Sequence, residues 1–96
     1  MAEEVILNAV STDTNGTHQV TVANPNLQVE GIGGITGVNN KPRIVISAST
    51  DGTNFSYVGT FYDDVFLGTG FNVGVTVKAE SKNIDSGQSV TVSLME

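Results

Sequence analysis

Residues 43–61, RIVISASTDGTNFSYVGTF, read as two extended runs reversed at Asp51-Gly52, a dipeptide suited to a tight hairpin turn. A two-residue turn sets Ala48 against Phe55, Ile46 against Tyr57 and Ile44 against Gly59 on one face. Ser47 then meets Ser56, and Val45 meets Val58, on the other. The first face is apolar and aromatic and the second largely polar, so the expected hairpin turns Ile46, Phe55, Tyr57 and Phe61 inward. A three-residue loop would oppose Ile46 to Ser56, so the hydrophobic pattern favours a loop of two or four residues.

The same period of two recurs elsewhere. Runs at 4–11 and 17–24 flank Asn15-Gly16, which predicts a second hairpin pairing Ala9 with Val22, Ser11 with Val20 and Asp13 with His18. Asn24-Pro25-Asn26 punctuates the chain before a short strand at 27–30, where a sheet edge is expected. Val73, Val75, Val77 and Ala79 alternate with polar residues, as do Val90, Val92 and Leu94. With 82–85 as the turn, these form a last hairpin in which Val77 meets Val90, Val75 meets Val92 and Val73 meets Leu94. Residues 31–42, GIGGITGVNNKP, hold four glycines and no period, and read as a loop or arm. Residues 62–72 read as a crossover with one helical turn.

Six or seven short strands with frequent turn signals predict an all-β fold, an antiparallel β-sandwich with jelly-roll and immunoglobulin-like connectivities both open. A small β-barrel is the alternative. Ninety-six residues suffice for one domain over 1–96, with Val at 14 and Thr at 11 supplying the β-branched side chains that strands favour. A net charge of -6, with Lys41, Arg43, Lys78 and Lys82 the only cations, argues against nucleic acid and anionic membranes as partners. The chain has no cysteine, so packing alone must hold so small a domain unless oligomerisation adds buried area, and a dimer or trimer is expected. MAEEVILNAV has no basic stretch ahead of an apolar run, so synthesis in a host cytoplasm without a signal peptide is expected.

Few residues suggest chemistry. His18 is the only imidazole, and a solvated pairing with Asp13 near a turn outweighs a catalytic role. Asp63-Asp64 with Asp51 or Asp85 lack the spacing of a calcium loop, and adjacent strand residues would point to opposite faces, which disfavours paired-carboxylate chemistry. The glycines at 31, 33, 34 and 37 have no Gly-Lys-Ser/Thr after them, so a contact arm is preferred to a phosphate cradle. The reading is therefore of a non-enzyme without cofactor or metal. Its candidate partner contacts are Gly31, Ile32, Ile35, Val38 and Asn39 on the arm, with Tyr62, Phe66 and Phe71 on the crossover.

The string SASTDGTNFSYVGTF resembles the S-x-D-G-x-x-F/W-x-x-V-G hairpin of discoidin-type carbohydrate-binding sandwiches and of many phage virion proteins. The whole chain, acidic, cysteine-free and rich in Gly, Thr, Asn and Val, is similar in style to small phage structural proteins. This resemblance implies a virion component, either a capsid decoration or cement protein contacting the major capsid protein or a tail-associated one. The sugar-binding side of it implies a carbohydrate-binding or host-adhesion module with Tyr62, Phe66 or Phe71 as the stacking platform.

Overall fold

In the computed structural model, residues 3–32, 42–84 and 87–96 are described, and they form eight strands with no helix. The strands are β1 (Glu3–Val10), β2 (Asn15–Gln19), β3 (Asn26–Glu30), β4 (Arg43–Ser49), β5 (Ser56–Phe61), β6 (Val65–Gly68), β7 (Thr76–Lys82) and β8 (Val90–Met95). They build two four-stranded antiparallel sheets, β1-β8-β3-β6 and β2-β7-β4-β5. β1 pairs with β8, β2 with β7, β3 with β6 and β4 with β5, as if the chain were one long ribbon folded in half and wrapped on itself. Wrapping adds the β3–β8 and β4–β7 pairs. This double Greek key is the jelly-roll form of the β-sandwich.

Strict alternation fills the interior. Leu27 and Val29 of β3, Ile44 and Ile46 of β4, Val77 and Ala79 of β7, and Val90, Val92 and Leu94 of β8 are all buried, joined by Leu7, Val20 and Ile32. Their outward neighbours are polar or charged with few exceptions. Burying large aliphatic side chains contributes roughly 1.5–3 kcal/mol each, the main force holding the two sheets together.

Only β4 and β5 are both consecutive in sequence and paired. Their register is Ala48 to Ser56 and Ser47 to Tyr57, then Ile46 to Gly59, Val45 to Thr60 and Ile44 to Phe61 across a bulge. The expected pairing of Ile46 with Tyr57 is therefore corrected: Ile46 is fully buried, whereas Tyr57 is 68% exposed. The cause lies in the connecting loop. Ser49 Oγ accepts from the N–H groups of Asp51 (3.2 Å) and Gly52 (2.9 Å), and Asp51 Oδ1 accepts from those of Thr53 and Asn54 (both 2.8 Å). These side chains stabilise a loop longer than a two-residue turn, which offsets the partner strand. This one-residue offset pairs Tyr57 with outward-facing Ser47 and leaves it on the outer face, and the bulge beyond it brings Phe61 back to the side of Ile44.

The other two expected hairpins do not form. Asn15-Gly16 opens β2 rather than turning the chain, and β2 pairs with β7 in the opposite sheet from β1. Here glycine serves close approach, because a Cβ at Gly16 would collide with the carbonyl oxygen of Ile6. Likewise β7 and β8 belong to different sheets, so Val77 and Val90 enter one core from opposite sides. β3 lies between β8 and β6 rather than at an edge, and the expected crossover contains β6 in place of a helical turn.

Candidate functional site

His18, Glu96, Asp13, Asp51 and Asp64 are each held in hydrogen bonds. His18 lies opposite Val77, not Asp13, and its Nε2 is 2.8 Å from Glu96 Oε1. Thr21 donates to the same carboxylate through its N–H and its hydroxyl. Burial pushes the Glu96 carboxyl up, but hydrogen bonds from Thr21 and His18 together outweigh it and hold the carboxyl below its usual value. Asp13 accepts from the Ile84 N–H (3.0 Å), which depresses its pKa and ties Ile84 to the end of the β1–β2 connection. Backbone N–H groups of Asn54 and then Thr53 hold Asp51 far below the usual carboxylate range. Asp64 Oδ1 accepts from the Ile32 N–H at 2.8 Å. Among the described residues, no group of three His, Asp or Glu side chains is placed to hold a metal ion.

The two flanks of the sandwich differ. On one, β1 and β2 touch and close the core, with Gly16 packed on the Ile6 backbone. On the other, β5 and β6 diverge after their three-residue connection, and half-buried Phe61, Val65 and Leu67 plug the seam against the core. Among the described residues, four of the seven exposed large hydrophobic ones fall within this short stretch: Tyr57, Val58, Tyr62 at 50% and Phe66 at 60% exposure. Tyr57, Val58 and Phe66 lie on two edge strands, whose outer backbone groups no described strand pairs, and Tyr62 lies in the connection between them. Exposed apolar side chains beside unpaired edges are a common setting for contact with another chain.

The structure sorts the expected contact residues. Tyr62 and the Gly31-Ile32 root of the arm lie at one end of the sandwich, joined through the Ile32–Asp64 hydrogen bond. Ile32 itself is buried in the core and offers no side chain to a partner. Gly31 holds a φ of 88° against the Ser89 carbonyl, where a Cβ would collide, so its role is to turn the chain into that contact. Ile35, Val38 and Asn39 lie outside the described residues. Phe66 projects from the outer face of β6. Phe71 lies at the opposite end, half-buried against the core, in an open cleft of about 300 Å³ shared with Ala48, Ser49, Thr50, Asn54, Ser56 and Val75. Tyr57 was missed by sequence reasoning because a two-residue turn puts it inside, whereas Val58 was expected on the outer face but not as a contact.

Cations are sorted as well. Arg43, Lys78 and Lys82 all stand on the outer face of β2-β7-β4-β5, where Glu80 bridges Lys78 (3.5 Å) and Lys82 (3.2 Å). The pair draws the Glu80 carboxyl below its usual value, chiefly through the Lys82 hydrogen bond. Lys78 Nζ also stands 5.4 Å from the centre of the Phe55 ring. No family model, curated protein or solved structure matches this chain.

Proposed function

We propose that this chain is a non-catalytic structural protein of a phage virion, a capsid decoration or cement subunit that binds the major capsid protein or another virion protein. The observation that carries this reading is the open β5–β6 flank, where Tyr57 and Phe66 stand exposed on the outer faces of their two sheets and Tyr62 on the connection between them. Such a surface suits repeated protein–protein contact, and its jelly-roll frame is one that viral capsid domains share. The hydrogen-bonded carboxylates support a scaffold in place of a reaction centre. Homo-oligomerisation as a dimer or trimer belongs to the same proposal, since added buried area offsets the small core.

Co-sedimentation with capsids tests this reading. Saturable binding should weaken about tenfold or more in Tyr62→Ala/Phe66→Ala, because aromatic anchors dominate such contacts. Absence of any virion association sinks it. A second reading, a carbohydrate-binding or host-adhesion module, draws on the cleft around Phe71, whose apolar ring sits beside Ser, Thr and Asn side chains. Saturable binding on a glycan array, lost in Phe71→Ala or Tyr62→Ala, would promote it over the first.

A further inference from the structure

We infer that the outer faces of the two sheets bind each other between copies, so that the chain stacks head to tail. The strands of β1-β8-β3-β6 contain Glu3, Glu4 and Glu30 and no cation; those of β2-β7-β4-β5 contain Arg43, Lys78 and Lys82 against Glu80 alone. On the outer surfaces this leaves Glu3 and Glu30, net -2, on one side of the molecule and net +2 on the other. The shortest extent of the molecule is 17 Å. At physiological salt the screening length is about 8 Å, so each face presents its own charge to a neighbour despite the overall -6.

Spacing agrees with charge. Glu3 lies in the row of Met95 and Asn26, and Glu30 in the row of Thr91, four residues farther along β3. On the opposite sheet Arg43 pairs with Lys82, and Lys78 lies four residues farther along β7. At about 3.3 Å per residue both separations are roughly 13 Å along the strands. Apolar side chains accompany the charges: exposed Val5 and Phe66 on the acidic face, exposed Tyr57 and half-buried Val45 on the cationic one. Four strands about 4.8 Å apart and five residues long give a flat footprint of roughly 300–400 Å². That is well below the roughly 800 Å² per partner of a stable pair, so the contact is concentration-dependent in solution. Because each contact uses two different surfaces on opposite sides, every added copy leaves one acidic and one cationic face free, and the stack is open-ended. Both surfaces belong to this chain, so the inference needs no virion partner, and it differs from the dimer or trimer of the virion reading in growing past either.

Sedimentation velocity over a concentration series tests it. The weight-average size should climb past a dimer at about 0.15 M salt, where the screening length is about 8 Å, and return to the monomer at about 1 M, where it is about 3 Å. Arg43→Glu/Lys78→Glu should lose about tenfold or more in association constant, and Glu3→Lys/Glu30→Lys the same. An equimolar mixture of the two variants should recover assembly, since each then offers what the other lacks. Circular dichroism checks that both stay folded, and Arg43→Gln/Lys78→Gln gives a milder form of the first. A wild-type monomer at every concentration in about 0.15 M salt, growth that stops at a dimer, or a mixture no larger than its components would overturn the stacking.

Discussion

Ile46→Ala and Tyr57→Ala form a matched pair that tests the bulged register of β4 and β5. The register of a two-residue turn places both side chains in the core, so both truncations would be severe. In the bulged register they part. Ile46 is fully buried between β5 and β7, and its truncation removes buried methyl groups and leaves a cavity, for a loss of about 2–4 kcal/mol. Tyr57 is 68% exposed and hydrogen-bonds at its hydroxyl to Thr60 (2.7 Å) on the outer face, so its loss should cost about 0.5 kcal/mol. A domain of 96 residues has about 5–14 kcal/mol of stability in all, so the first change removes a large share of it. Urea unfolding followed by circular dichroism reads both, with an unchanged slope required for the comparison. The melting temperature should fall by about 10–25 °C in Ile46→Ala and by only a few degrees in Tyr57→Ala. Losses equal within about 0.5 kcal/mol would refute the bulged register and return Tyr57 to the interior.

Three further outcomes are expected. Gly16→Ala should destabilise the fold by about 1–3 kcal/mol, because β2 must move off the Ile6 carbonyl, and the urea midpoint will show it. Ser81 is buried, donates to the Thr12 carbonyl (2.9 Å) and accepts from the Thr14 N–H (2.8 Å), so Ser81→Ala should cost about 1–3 kcal/mol and speed amide exchange at Thr14. Asp13, Asp51, Glu80 and Glu96 all have carboxyl pKa values lowered by folding. Each therefore contributes stability that is present above its unfolded value and lost as pH falls through the folded one. Melting temperature should decline on acidification below about pH 5, with a shallower decline in Asp51→Asn; a flat profile would contradict the hydrogen-bonded carboxylates.

The alternation at Val77, Ala79, Val90, Val92 and Leu94 correctly marks core positions, yet it does not say whether two runs are neighbours in one sheet or face each other across the core. Both arrangements bury the same side chains, which is why the hairpins at Asn15-Gly16 and 82–85 were legible as strands but not as partners. β6 was hidden because Val65 and Leu67 alternate for only four residues among turn-forming ones. In the contact surface, Tyr62 and Phe66 stood out as aromatics outside the clear strands. Tyr57 did not, because its side depends on the length of the loop that Ser49 and Asp51 hold, and no period of two records a one-residue offset. The cationic face was written in the sequence as Lys78, Glu80 and Lys82 at alternate positions. That Arg43 lies beside Lys82 follows only from the β4–β7 pairing.

The half-folded ribbon also dictates an order of events as the chain leaves the ribosome. β8, near the end of the described chain, occupies an interior place between β1 and β3, so that sheet stays divided until its final segment has emerged. Until then the nascent polypeptide exposes sticky unpaired borders on both halves, while only the 43–61 region has a partner close at hand. The interval before β8 emerges, and shielding by chaperones during it, therefore bear on how much of the chain folds.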